Sequence, residues 1–188
     1  MKPNFQIIAE VKTASPFPSK LSESTDTWDE LFVMAEKVWD ILSIHTNPRW
    51  WWDFSLIKKA RWLTDKPIMA KGIHETDEQI ERAIELGADY VLVVGRIPEV
   101  HNEKVLYEVE SLLQLQQFKK LLPNTAKIVW NSRHLSDGSD KIETFEQAKA
   151  IWPWWICQAS NIKDISDVKS WADAVLVGTN LKTFIQSI

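Results

Sequence analysis

A carboxylate and an ammonium stand two residues apart in an otherwise apolar run, Ile7-Ile8-Ala9-Glu10-Val11-Lys12, and their types and spacing suggest chemistry more directly than any other pair in the chain. The run reads as a strand, and residues i and i+2 of a strand share a face, so Glu10 and Lys12 point together into whatever that strand lines. Charges are rarely buried without partners. The pair is therefore either a structural ion pair or part of a polar site. Glu108 raises the same question, because it lies between the apolar Leu106 and Val109 on a strand expected to be buried on both faces, where an unpaired, solvated role does not fit. Lys71 closes the run Pro67-Ile68-Met69-Ala70-Lys71 and taken alone reads equally well as a surface lysine at a strand end.

Short apolar runs alternate with helical patterns at intervals of about 20 residues, the mark of strand-helix units wrapped around a parallel sheet. Trp28, Leu31, Phe32, Ala35 and Trp39 recur at i, i+3, i+4, i+7 and i+11, which is one face of a helix, and Thr27 with Glu30 forms a capping-box pattern at its start. Ile41-Leu42-Ser43-Ile44 reads as the second strand. Thr76-Asp77-Glu78-Gln79 opens a helix with Ile80, Ala83 and Ile84 inward, and Gly87 ends it with the freedom to take positive φ. Helices are expected from Ser111 to Leu122, stopped by Pro123, and from Thr144 to Trp152, stopped by Pro153. Eight strands can be counted, all within one domain spanning 1–188. The connection from Val94 to Val105, which contains Pro98, is too short for an ordinary helical crossover, so its helix should be missing or vestigial.

Composition narrows the function classes. The chain has 188 residues, 45% of them hydrophobic, enough for one substantial core and too few to expect two full domains. No apolar run reaches the ~18 residues of a membrane span, and the N-terminus lacks a signal-peptide pattern, so a cytoplasmic protein with no membrane partner is expected. A net charge of −4 with dispersed basic residues argues against nucleic-acid binding. The histidines at 45, 74, 101 and 134 lack ligand spacing, so neither a metal nor another cofactor is expected. His134 reads as a solvated loop residue. The single cysteine, Cys157, sits in the apolar run Trp154-Trp155-Ile156-Cys157 and reads as a buried inert thiol.

The strand I-I-A-E-V-K-T-A-S-P resembles the first barrel strand of the indole-3-glycerol phosphate synthase family. Further likenesses follow in chain order. Pro67 to Lys71 is similar to the family's third strand with its catalytic lysine, Leu86 to Val94 to the fourth, and Val105 to Val109 to the fifth with its catalytic glutamate. Asn131-Ser132-Arg133-His134-Leu135 resembles the N-x-R-x-L that ends the sixth strand. Ala159-Ser160-Asn161-Ile162 stands where the family has E-S-G-I, and Ala174 to Leu181 resembles its last strand and phosphate loop. The resemblance implies an α/β fold, a trimmed (β/α)8 TIM barrel of the ribulose-phosphate-binding type, starting without the family's N-terminal helical extension. Active sites in such barrels lie at the C-terminal ends of the strands.

The implied activity is closure of an indole ring from a carboxyphenylamino deoxyribulose phosphate, with loss of carbon dioxide and water, in tryptophan biosynthesis. The resemblance assigns Lys71 as general acid, with Glu108, Glu10 and Lys12 handling proton transfers. Mutual repulsion of clustered lysines, assisted by burial, is expected to lower an amine's pKa into a useful range. Asn131 and Arg133 would hold substrate, assisted by Ser15 and by Trp51. Phosphate would bind at Ser160, Asn161, Gly178 and Thr179, in the last two loops.

Several positions depart from the family pattern. K-D-F after the third strand is Lys71-Gly72-Ile73, and E-S-G-I has lost its glutamate to Ala159 and its glycine to Asn161, a residue that tolerates positive φ. Eleven tryptophans are many for an enzyme needed when tryptophan is scarce, and Trp50-Trp51-Trp52 follows the second strand. These rings cap the barrel or fill an interface with a second copy of the chain or a protein partner, or else at least one of them stacks on an aromatic substrate. The alternatives to the implied activity are a related barrel enzyme acting on another phosphorylated substrate, and a noncatalytic barrel that binds a phosphometabolite or a protein.

Overall fold

The computed structural model describes residues 3–13, 26–38, 40–46 and 53–188. Eight parallel strands close into a barrel in chain order: β1 (Gln6–Val11), β2 (Ile41–His45), β3 (Ile68–Lys71), β4 (Tyr90–Val94), β5 (Val105–Val109), β6 (Lys127–Asn131), β7 (Ile156–Ala159) and β8 (Ala174–Val177), with β8 pairing back onto β1. The helices are α1 (Trp28–Val38), α2 (Ser55–Leu63), α3 (Asp77–Glu85), α4 (Leu112–Leu121), α5 (Phe145–Ile151) and α6 (Leu181–Gln186). The strands read as nearly continuous apolar runs because both of their faces are buried. One parity fills the barrel with Ile8, Met69, Leu92, Leu106, Val129, Cys157 and Leu176, while the other packs outward against the helices through residues such as Ile7, Ala70, Val91, Tyr107, Trp130 and Val175.

The helix boundaries follow local chemistry. Thr27 and Glu30 close the capping box on α1, with Thr27 N donating to Glu30 Oε2 at 2.8 Å and Glu30 N to Thr27 Oγ1 at 3.3 Å. Thr76 with Gln79, and Thr144 with Gln147, do the same for α3 and α5. Gly87 follows α3 at φ 107°, a conformation that suits glycine, with the Arg61 side chain packed where a Cβ would lie. The anticipated gap is present: residues 95–104 carry only a 3-10 turn, Asn102–Lys104, before β5. A second simplified connection lies between β7 and β8, where the structure has the 3-10 turn Ile165–Asp167, capped by Asp164 accepting from Ser166 N at 2.8 Å.

The tryptophans divide between core and surface. Trp130 and Trp152 are fully buried, whereas Trp62 is 83% exposed and Trp171 46%. Trp39 and the Trp50-Trp51-Trp52 run lie outside the described residues, as does Ser15. Cys157 is buried inside the barrel, and burial pushes its thiol pKa up, in line with an inert thiol. Among the described residues no helix is long and apolar enough to cross a membrane, and no group of three or more His, Cys, Asp or Glu is placed to hold a metal ion.

Candidate active site

Strand parity builds the site. Continuing the inward set by one step of two residues takes Ile8 to Glu10, Met69 to Lys71, Leu106 to Glu108, Val129 to Asn131, Cys157 to Ala159 and Leu176 to Gly178. On β2 the same step runs from Ile41 through Ser43 to His45. Because all the strands are parallel, every one of these residues falls at the C-terminal mouth of the barrel, where the βα loops meet. The register confirms the common level by pairing His45 with Lys71 and Asn131 with Ala159.

Glu10, 3% exposed, is the centre of the first cluster. Its Oε1 contacts His45 Nε2 and also takes Lys71 Nζ at 3.2 Å, while its Oε2 lies 3.9 Å from Lys12 Nζ. Gly178 completes the cradle, since a Cβ there would lie only 2.0 Å from Glu10 Oε2. Burial alone would raise the Glu10 pKa, but Lys71, Lys12 and His45 together outweigh it and hold the carboxyl well below its usual range. Glu10 is therefore a carboxylate. Burial lowers the His45 pKa by more than Glu10 restores it, so the imidazole is neutral and its Nε2–H donates to the carboxylate.

The two lysines differ, and the expected lowering of the Lys71 pKa does not occur. At Lys71 burial is outweighed by attraction to Glu10 and Glu108, and the pKa is raised. At Lys12 burial prevails over Glu10, Lys71 and Arg133 add repulsion, and the pKa is lowered. The lysine repulsion anticipated from sequence thus falls on the less well paired amine.

A second chain of polar groups crosses the opposite side of the mouth. Asn131 Nδ2 donates to Glu108 Oε1 at 2.8 Å, and Asn131 Oδ1 accepts from Ser160 Oγ at 2.6 Å and from Arg133 N at 3.0 Å. These three bonds fix which end of the amide faces Glu108. Arg133 Nε lies 3.7 Å from Asp140 Oδ1, which also accepts from Asn161 Nδ2 at 2.9 Å, so Arg133 and Asn161 meet at the rim. Ser160 and Asn161 both take positive φ, 67° and 57°. The loops after β7 and β8 are joined where Asn180 Nδ2 donates to Ile162 O at 3.0 Å, and Thr179 is exposed beside them.

Gly72 has a local structural role. A Cβ there would lie 2.8 Å from Thr46 Oγ1 and 3.2 Å from His74 Cε1. Thr46 N donates to Lys71 O at 2.9 Å and its hydroxyl lies 3.1 Å from His74 Nε2, while His74 Nδ1 donates to Leu92 O at 2.6 Å. This bracket immobilises the backbone that carries Lys71. His74 is buried, and burial pushes its pKa down to about 4.

The structure thus brings Glu10, Lys12, Lys71, Glu108, Asn131, Arg133, Ser160 and Gly178 to one mouth, with Asn161 and Thr179 on its rim. Sequence reasoning missed His45, because the second strand was read as ending at Ile44. The alternation Ile41, Ser43, His45 was the available signal.

Comparison with known proteins identifies the family. The family model described as Indole-3-glycerol phosphate synthase matches residues 2–184. The indole-3-glycerol phosphate synthase of Petrotoga mobilis is 27% identical over 96% of this chain and 82% of its own length. That of Sulfurisphaera tokodaii is 29% identical over 93% of this chain and 77% of its own, and that of Lachnospira eligens 25% identical over 96% and 75%. With the family match running almost end to end on a closed eight-stranded parallel barrel, the chain belongs to the indole-3-glycerol phosphate synthase family.

Proposed function

We propose that this protein catalyses the reaction for which its family is named, closing the indole ring of a carboxyphenylamino deoxyribulose phosphate. The ring carbon bearing the carboxylate attacks the ketone carbon and forms the new carbon-carbon bond, while the ketone oxygen takes a proton. Carbon dioxide then leaves and its bonding pair restores the aromatic ring. Finally the hydroxyl departs as water with a second proton, and the neighbouring methylene loses a proton to complete the indole.

One observation carries this reading: the Lys71 ammonium stands at the mouth, 3.2 Å from the buried Glu10 carboxylate and under the attraction of Glu108. It is held protonated, as a donor to the ketone oxygen must be. Glu108, oriented by Asn131, together with Glu10 and Lys12 would move the protons of the dehydration, and Asn131 and Arg133 would hold the substrate. The substrate phosphate would sit at the linked loops of Ser160, Asn161, Gly178 and Thr179, with Ser15 and Trp51 as further contacts.

Ala159 favours a second reading, a related barrel lyase acting on another phosphorylated aromatic substrate, because the inward position at the end of β7 lacks the family's carboxylate. The deciding experiment is incubation of purified protein with carboxyphenylamino deoxyribulose phosphate while indole fluorescence is followed. A folded protein that binds this substrate without forming indole would refute the first reading in favour of the second.

A further inference from the structure

His45 is a buried imidazole on a strand whose other inward residues are Ile41 and Ser43, and no motif of the chain pointed to it. It reaches across the first two strands to Glu10, and it is the register partner of Lys71 on the third. Three adjacent strands therefore contribute one carboxylate, one imidazole and one ammonium to a single oxygen atom, Glu10 Oε1. A carboxylate oxygen has room for two donors, and these two arrive from different strands. The other oxygen is confined by Gly178, with Lys12 at 3.9 Å.

We propose that His45 is a positioning residue for the ring-closing reaction, donating through Nε2–H to Glu10 Oε1 and thereby fixing the carboxylate that aims the Lys71 ammonium into the mouth. The inference rests on the ring-closing function argued above. Without the imidazole donor, Glu10 can rotate within its cradle, and Lys71 follows it. Apolar burial at position 45 would fill the volume but leave Oε1 with one donor fewer, whereas a glutamine places an amide N–H close to where the imidazole Nε2–H lies. The charged and titratable groups that bear on this pair are Lys12 on its own strand side, Lys71 from β3, Glu108 from β5, Arg133 beyond β6 and Cys157 from β7; β8 presents only Gly178. None of them replaces the lost neutral donor.

The test compares His45→Leu and His45→Gln with wild type. Losing a hydrogen bond to a charged group should lower kcat by roughly 10- to 100-fold in His45→Leu, with KM nearly unchanged because His45 acts through Glu10 rather than on substrate. His45→Gln should recover most of that loss. In the same variants, Glu10 observed by carboxyl carbon NMR should titrate at higher pH in His45→Leu than in wild type or His45→Gln, and the acidic limb of the kcat profile should move in the same direction. A His45→Leu enzyme with wild-type kcat and unmoved Glu10 titration overturns the proposal. So does equal impairment of both variants with the titration unmoved, since that is the signature of packing alone. If wild type itself forms no indole, the ring-closing function fails instead, and the carboxyl titration still decides whether His45 governs Glu10.

Discussion

Substituting Gly178 by alanine tests the central cradle with a single methyl group. The backbone at Gly178 is outside the left-handed region, so alanine suits the conformation, and the whole effect arises from what the methyl meets. That is the Glu10 carboxylate, 2.0 Å away where ordinary contact begins at 3.4 Å, so Oε2 must retreat by about 1.4 Å. The retreat removes Oε1 from Lys71 at 3.2 Å and from His45. A misplacement of ~1 Å in a reacting constellation can lower rate ~100-fold, and kcat of Gly178→Ala should fall by about that factor. Overpacking costs ~1–3 kcal/mol, offset by ~0.4–1 kcal/mol from the stiffer unfolded chain, leaving a net loss of up to about 2.6 kcal/mol. At ~2–4 °C per kcal/mol, Tm should drop by a few degrees. A double-mutant cycle isolates the cause. In Glu10→Ala the clashing atoms are gone and only Cβ remains, 3.4 Å from the new methyl, so adding Gly178→Ala to that background should be neutral or stabilising. A Gly178→Ala enzyme with wild-type kcat, or an equal fall in Tm in both backgrounds, would refute the cradle.

Other consequences can be checked as directly. Lys71→Ala and Glu108→Gln should each lower turnover by ~10²–10⁴ with the circular dichroism of the barrel unchanged, and full activity in either would remove that residue from the mechanism. Inorganic phosphate should shift the backbone amide resonances of Ser160, Asn161, Gly178 and Thr179; saturating phosphate that moves none of them would place the anion elsewhere. His74, whose folded pKa is pushed down to about 4, should make stability depend on pH: its contribution is complete above the unfolded value near 6.5 and is lost as pH falls toward 4. The loss approaches about 3 kcal/mol. Urea titrations across that window should show it in wild type and much less of it in His74→Asn, a residue suited to the positive φ of 51° at this position.

The barrel was legible because each strand is an apolar run and each capping box is written in adjacent residues, as at Thr76 with Gln79 and Thr144 with Gln147. The weak connection before β5 was legible too, since Pro98 and the shortness of the segment leave no room for a helix. Its counterpart after β7 was not. There Gln158 holds the loop through side-chain bonds to Asp167 O and from Lys169 N, which a local pattern does not announce. Helix α2 was obscured because Trp62 and Leu63, two large apolar residues, face solvent and blur the period set by the buried Ile57 and Ala60. The residues that gather at the mouth were, His45 apart, carried by motif, but the sign of the Lys71 shift was not, because it depends on whether Glu10 or Lys12 is nearer. Only the folded distances decide that.

Under the proposed function, those distances also suit the mouth to an anionic substrate. Among the described residues it gathers the cations Lys12, Lys71 and Arg133 around the carboxylates Glu10 and Glu108. Glu10 Oε1 is committed to Lys71 and His45, and Glu108 to Asn131, while Lys12 is half-buried with Glu10 Oε2 at 3.9 Å and its pKa lowered chiefly by desolvation. An anion entering the mouth would add to the counter-charge that Glu10 supplies, so binding a carboxylated, phosphorylated substrate would raise the Lys12 proton affinity. A glutamate at position 159 would compete with that anion for the same cations. Where the resemblance implies a glutamate, Ala159 would leave those cations to the anion, so the identity of the bound acid would separate the ring-closing reading from its alternative.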